Sequence, residues 1–274
     1  MIRLIFSDMD GTLLDENGAL PAGFGTMYET FSDVYLRLRE RGILFAPASG
    51  RQYASLLHTF APWQEEMIFL AENGTLVMER GAEIFSCAVE EPLALDVMRT
   101  GENLAGVRSV LCGKKRGYFH ADDDAPEFRA ELAKYVTHTT VVEDFAAVDD
   151  VPIKMSFCDF SGNAEHSILP FMQQYADRLQ VTLSSTEWVD LYSQGVNKGI
   201  AAAKVQERLG IAPEECVAFG DYQNDLELMD AVMYSFAMEN ALPEVKARAR
   251  YMAPSNRAHG VMQICEQILA GAFD

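Results

Sequence analysis

The sequence predicts an α/β protein, a doubly wound parallel-sheet core interrupted by an inserted α+β domain. Three observations predict it. Short apolar runs end abruptly in Asp8-Met-Asp-Gly11, Ser49-Gly-Arg51 and Gly220-Asp221, as buried parallel strands do where they open into loops at one sheet edge. Between the first two runs lies a stretch of helical character, the crossover that adjacent parallel strands require. Past Gly81 the texture changes, and strand-like runs alternate with helical patterns that carry none of these polar endings.

Leu4, Ile5 and Phe6 read as the first strand, with Gly11 supplying its tight exit. Asp8 and Asp10 stand at i and i+2, so both carboxylates leave an extended segment on the same side. Two carboxylates so close repel unless a cation or a shared proton compensates them. The residues leave open a magnesium site, a nucleophile paired with a general acid, or both, with a plain acidic turn as the bland alternative. An EF-hand calcium loop is rejected by spacing. It needs glycine at its sixth position, and here that position is Leu13.

Residues 24–41 predict a helix and 43–45 the next strand, whose apolar run continues past Pro47 to Ser49-Gly50-Arg51. The Ser49 hydroxyl and the Ser49 and Gly50 amides suit phosphate oxygens, and Ser49 suits a helix N-cap equally well. A helix over 53–60, a strand over 67–70 and a turn at Asn73-Gly74 complete the first core portion, residues 1–83. The insertion, residues 84–187, carries strand-like runs at 84–89, 107–112, 139–142, 153–157 and 181–184, with helical patterns at 93–104, 126–136 and 164–179. Two strand, helix, strand passages in it read as an internal duplication without a visible sequence repeat.

The second core portion, residues 188–274, opens the helix 200–209 with Asn197-Lys198-Gly199. A lysine at a helix start opposes the helix dipole, so either something anionic sits on Lys198 or the side chain is simply solvated. The last apolar run, from Cys216, ends in Gly220-Asp221, with Asn224 and Asp225 one turn later where the next helix begins. An acidic residue there can complete the coordination of a hard cation begun at Asp8.

Composition sets limits on function. With 274 residues and 49% hydrophobic content the chain can bury a substantial core. No apolar run approaches the ~20 residues that cross a bilayer, and Met1 leads straight into the first strand, so a cytoplasmic protein is expected. The five cysteines are widely spaced, which predicts neither a zinc site nor a disulfide framework. A net charge of −19 argues against nucleic acid as a partner. It repels an anionic substrate as well, so a site for one needs local positive charge from a divalent cation and Lys198, with Arg51 as a lesser contributor.

Taken in order, the three polar endings and the lysine at the helix start resemble the motifs of the haloacid dehalogenase superfamily of phosphohydrolases, in particular its Cof-type branch. The matching segments are Asp8-Met-Asp-Gly-Thr-Leu-Leu14, Ala48-Ser-Gly-Arg51, Lys198 and Gly220-Asp-Tyr-Gln-Asn-Asp225. Glu72-Asn73-Gly74-Thr75, Phe236-Ala-Met-Glu-Asn-Ala241 and His259-Gly260-Val261 resemble further family segments, and Ser49 stands where members often carry threonine. The resemblance implies a Rossmann-like core and makes the insertion a cap domain. It implies a Mg²⁺-dependent phosphatase that acts on a small phosphate ester, a sugar phosphate or related metabolite, through an aspartyl-phosphate. By the same resemblance Asp8 is the nucleophile and Asp10 the general acid and base. Mg²⁺ is held by Asp8, the Asp10 carbonyl and Asp221, and phosphate by Ser49, Gly50, Lys198 and Asn224. Thr12, Arg51, Asn73 and Asp225 are supporting or substrate-contacting candidates.

Transport ATPases of this superfamily carry threonine where Asp10 stands, so turnover to free phosphate is expected. A phosphomutase, or a catalytically idle regulatory or scaffold protein on the same fold, are the alternatives. The partner expected is a small phosphorylated metabolite, with no nucleic acid, no membrane and no obligate protein partner inferred. Lys114-Lys-Arg-Gly-Tyr118 is the basic, aromatic candidate for substrate contact in the cap, or else a solvated hairpin tip. The cap is expected to move about hinges near Gly81 and Trp188.

Overall fold

The computed structural model describes residues 1–22 and 31–273. The strands before the insertion are β1 (Leu4–Ser7), β2 (Leu44–Pro47), β3 (Ile68–Ala71), β4 (Leu76–Glu79) and β5 (Ala82–Ser86). The insertion supplies β6 (Val107–Gly113), β7 (Gly117–His120), β8 (Thr139–Val142), β9 (Pro152–Asp159), β10 (Leu179–Leu183) and β11 (Trp188–Ser193). The chain then returns with β12 (Cys216–Gly220), β13 (Tyr234–Met238) and β14 (Tyr251–Ala253).

The core sheet is parallel, in the order β14-β13-β12-β1-β2, and an isolated parallel bridge from Ala48 to Leu70 carries it on to β3. β1 is flanked on both sides and covered on both faces, which is why Leu4, Ile5 and Phe6 form an unbroken apolar run, each fully buried. From β1 the chain winds outward to β2; after the insertion it starts again at β12, on the other side. The order therefore reverses between β1 and β12, and the crevice at that reversal is where Asp8 and Asp221 emerge.

The helix Phe31–Glu40 packs against the last helix, Gly260–Leu269, and Arg37 joins Glu266 across them at 2.7 Å. It occupies the second part of the helix expected over 24–41; residues 24–30 lie outside the described residues. Among the described residues no helix is long and apolar enough to cross a membrane.

The second sheet is six-stranded, ordered β10-β11-β9-β6-β7-β8 and antiparallel except for the β7–β8 pair. Ala94, Val97 and Met98 from the helix Glu91–Glu102, with Ile168 and Met172, bury one face. On the opposite face the helix Pro126–Leu132 seats Phe128 and Leu132 on Val110 and Phe119. The rest of that face, with Lys154, Ser156 and Asp190, is turned toward the core.

Three elements sit differently from the sequence reading. Arg80 and Gly81 have φ of +50° and +74°, the pair of positive angles of a two-residue hairpin turn. β5 therefore folds back on β4 in a three-stranded antiparallel sheet with β3, with Gly81 in the hairpin turn between them. At the other end, β11 pairs with β9 and β10, so the six-stranded sheet runs on past residue 187 to Ser193. The helical pattern over 164–179 breaks into Ala164–Ser167 and Leu169–Met172, because Pro170 removes a helical donor.

Candidate active site

Asp8 leaves the end of β1 with its N–H donating to the Phe219 carbonyl of β12 at 3.0 Å. The chain then makes one wide turn over Met9–Leu13, closed by the Leu14 N–H on the Met9 carbonyl at 2.9 Å. Gly11, at φ +77°, permits that turn, and a Cβ there would stand 2.3 Å from Asp221 Oδ2. The same turn brings Thr12 Oγ1 within 2.9 Å of Asp221 Oδ1, to which it donates.

Lys198 is fully buried and donates to Asp8 Oδ1 at 2.5 Å and to Asp225 Oδ1 at 2.6 Å. These carboxylates are the anions at the start of its helix, which Asn197 caps by accepting from the Ile200 N–H at 2.8 Å. Asp225 Oδ2 accepts from the Asp221 and Tyr222 N–H groups at 3.0 and 3.2 Å, so one of its oxygens shapes the loop after β12 while the other holds Lys198.

One carboxylate oxygen each of Asp8, Asp221 and Asp225 falls within 4.8 Å of the others. Burial, with the charge of Asp225 adding and Lys198 opposing, pushes Asp8 up to about 7. Burial, with the charges of Asp8 and Asp225, pushes Asp221 up to about 8, against the Thr12 hydrogen bond. Three carboxylates thus share one ammonium, and a divalent cation fits the remaining charge. Asp8 and Asp221 are the two with an Oδ2 free of hydrogen bonds among the described residues.

Asp10 is gripped by Arg51, whose Nε and Nη2 donate to its two carboxylate oxygens at 2.7 and 2.5 Å. The guanidinium also lies 5.5 Å from the ring centroid of Tyr135, a cap residue. Burial lowers the affinity of this group for its proton, and the Asp10 bonds and charge outweigh that and raise it.

A cavity of about 110 Å³ gathers Asp8, Asp10, Ser49, Gly50, Arg51 and Asn224 from the core. Val110, Leu132, Tyr135 and Trp188 give it an apolar wall from the cap. Outside its lining, Lys198 holds Asp8 and is itself held by Asp225, and Thr12 holds Asp221. Asn73 is wholly buried outside the lining, where its side chain accepts from Asn224 Nδ2 at 3.0 Å and donates to Asp190 at 2.8 Å.

Ser49 differs from its sequence reading. Its amide donates to the Leu70 carbonyl at 2.8 Å, continuing the sheet, so that N–H is spent as a phosphate donor, which leaves the hydroxyl of this cavity-lining residue for the role. Nor does it cap the next helix, whose N-cap is Gln52.

The basic cap segment also sits elsewhere. Lys114 pairs with Glu83 at 2.9 Å, Lys115 binds the Asp149 carbonyl at 3.3 Å, and Tyr118 donates to Asp150 at 3.1 Å, all away from the cavity lining. Lys154 and Asp190 line it instead, and the sequence reading passed over both. The signal was a lone charge in the middle of an apolar strand, in Ile153-Lys-Met-Ser-Phe157 and in Trp188-Val-Asp-Leu-Tyr192.

The profile of the haloacid dehalogenase-like hydrolases matches residues 5–264. The chain belongs to this family. Over 274 residues it is 31% identical to the 5-amino-6-(5-phospho-D-ribitylamino)uracil phosphatase YbjI of Escherichia coli, covering 98% of this chain and 96% of that one. An HMP-PP phosphatase of Klebsiella pneumoniae is 26% identical, over 92% of this chain and 89% of its own. Among solved structures, SMU.1108c from Streptococcus mutans superposes with a TM-score of 0.86 at 26% identity, over 98% of this chain and all of the other. As a haloacid dehalogenase-like hydrolase of the Cof type, the chain is an enzyme of the phosphoric-monoester hydrolase class.

Proposed function

We propose that this hydrolase is a Mg²⁺-dependent phosphatase of the cytoplasm that hydrolyses a small phosphate ester through an aspartyl-phosphate on Asp8. The observation that carries the reading is the Lys198 clamp: Asp8 has one oxygen held at 2.5 Å by a buried ammonium and the other free of hydrogen bonds among the described residues, in a carboxylate cluster with Asp221. A carboxylate so fixed is a positioned nucleophile.

In this reading the free Asp8 oxygen attacks phosphorus in line, and the bond to the leaving oxygen breaks as the Asp8–phosphorus bond forms. Asp10 gives its proton to the leaving alcohol, then takes one from the water that attacks the phosphoryl group, and Asp8 departs with inorganic phosphate released. Arg51 holds both Asp10 oxygens in the described state, so substrate entry has to free one of them before Asp10 can pass a proton. Lys198 keeps Asp8 oriented through both steps, while the Ser49 hydroxyl, the Gly50 N–H and Asn224 receive the phosphoryl oxygens. Mg²⁺, held by Asp8, Asp221 and the Asp10 carbonyl, would supply the charge that lets one anion approach another.

The test is release of inorganic phosphate from a panel of esters with Mg²⁺ or with chelator. The relative named for a phospho-ribitylamino-uracil makes a sugar-alcohol phosphate that bears a heterocyclic ring the first ester to assay. Turnover is expected with Mg²⁺, none with chelator, and none for Asp8→Asn, with beryllofluoride trapped on Asp8 in the wild type. Undiminished turnover by Asp8→Asn would overturn the covalent route.

A further inference from the structure

The loop Ser49-Gly50-Arg51 presents three amides and three carbonyls, and the structure accounts for them unequally. The Ser49 N–H donates to the Leu70 carbonyl and the Arg51 N–H to Ser49 Oγ, at 2.8 and 3.2 Å. Among the described residues the Gly50 N–H has no backbone acceptor, which makes it the spare donor of the loop. On the carbonyl side, Ser49 O accepts from the Asn73 N–H at 2.9 Å and Arg51 O from the Glu72 N–H at 3.0 Å, both from the core. Gly50 O alone is met from the cap, by Lys154 Nζ at 2.7 Å.

Lys154 reaches Gly50 out of a buried charge cluster. Its ammonium lies 2.6 Å from Glu72 Oε2, and the two side chains are 5% and 1% exposed. Asp190 stands opposite Ser156 across the β9–β11 pair and accepts from its hydroxyl at 2.6 Å and from the core's Asn73 at 2.8 Å. Burying ionic groups costs several kcal/mol each before pairing, so hydrophobic packing would hold two domains together at less expense. Backbone strain accompanies the cluster. Glu72, Asn73 and Gly74 have φ of +53°, +58° and +90°, and the first two are not glycines. A Cβ on Gly50 would come within 3.0 Å of Asn73 Oδ1, so this strained turn is the surface on which Gly50 rests.

We propose that Lys154 is a positioning residue for the reaction: by binding the Gly50 carbonyl only when the cap is seated, it fixes the peptide that carries the spare Gly50 N–H. The proposal rests on the reading of Ser49 and Gly50 as the phosphate loop. Glycine gives that peptide freedom to rotate, and the core by itself leaves its carbonyl unheld. Seating of the cap therefore completes the loop whatever the leaving group, and a cap residue behaves kinetically like a core residue.

The test compares wild type, Lys154→Met, Lys154→Arg and the double variant Glu72→Gln/Lys154→Met on two unrelated esters, p-nitrophenyl phosphate and a hexose phosphate, far below each variant's melting temperature. The double variant removes both charges of the pair and leaves Asp190, which Ser156 and Asn73 still hold, as the remaining carboxylate of the cluster, and it answers the question if Lys154→Met does not fold. Loss of one charge-assisted hydrogen bond predicts a fall in kcat of about tenfold or more, by the same factor for both esters. Inhibition by inorganic phosphate weakens in parallel, and Lys154→Arg recovers part of the loss. A purely structural role lowers the melting temperature and leaves kcat and phosphate inhibition unchanged, which overturns the proposal. Losses that differ between the esters by more than tenfold make Lys154 a substrate contact and overturn it too. Asp8→Asn separates the two layers. If it is inactive while both methionine variants match wild type, only this proposal fails; if wild type hydrolyses no ester with Mg²⁺, the underlying reading fails with it.

Discussion

Gly11 and Asp221 are in contact that no side chain at position 11 would allow: a Cβ there would lie 2.3 Å from Asp221 Oδ2, and the backbone stands at φ +77°. Gly11→Ala is therefore expected to push Asp221 from its place beside Asp8. Positive-φ strain of this kind costs about 1–3 kcal/mol, which the fold survives, whereas displacement of a reacting constellation by about 1 Å costs ~10²-fold in rate. Circular dichroism melting should show a folded protein, and a Mg²⁺ titration of phosphatase activity should show a raised requirement and low kcat. Wild-type kinetics in this variant would mean that Asp221 can move without consequence.

Asp10→Asn separates acid catalysis from nucleophilic attack. An alkyl leaving group needs a proton from Asp10 and p-nitrophenolate does not, so the loss should be about 10²–10⁴-fold for a sugar phosphate and clearly smaller for p-nitrophenyl phosphate. Equal losses on both esters would assign Asp10 a role in positioning alone.

The raised carboxylates give the metal-free protein a definite pH dependence. Between the ordinary aspartate value of 3.8 and the folded values of about 7 for Asp8 and about 8 for Asp221, the folded state holds protons that the unfolded chain has released. Stability in chelator therefore falls as pH rises through this window and levels off above it. Metal-free Asp221→Asn, which lacks one of the crowded charges, should melt higher than wild type at about pH 9, and Mg²⁺ should stabilise wild type more there than at about pH 6. Thermal melts with and without Mg²⁺ at the two pH values test this; a wild type that gains stability with pH in chelator contradicts it.

Lys198→Ala should depress kcat for every ester alike, since Lys198 touches Asp8 and Asp225 and does not line the cavity. Removing the ammonium also leaves buried carboxylates uncompensated, a loss of about 3–5 kcal/mol by the usual cost of breaking a buried pair. Denaturant melts and kinetics on two esters read the two effects separately. A change confined to one ester would move Lys198 into substrate selection.

By itself the sequence determined where the chain turns and what it carries at each turn. An apolar run such as Leu4–Ser7 ending in aspartates, a glycine at the exit and a lysine at a helix start are local signals, because strand burial, tight turns and helix dipoles act over a few residues. Those signals named Asp8, Lys198 and Asp221; the β1–β12 pairing brings the two aspartates to one sheet edge, and the helix that Lys198 opens brings its ammonium to Asp8. What only the tertiary structure decided is which partner each polar group takes. Ser49 offers its amide to Leu70, Arg51 closes on Asp10 from 41 residues away, and Gly50 is held by Lys154 from 104 residues away. Such choices depend on which core strands lie side by side and, for Lys154, on how the cap sheet faces the core, and spacing along the chain carries no record of that. Lys114 and Tyr118 show the converse: a conspicuous basic and aromatic cluster is satisfied by Glu83 and Asp150, because the hairpin that bears it lies outside the cavity.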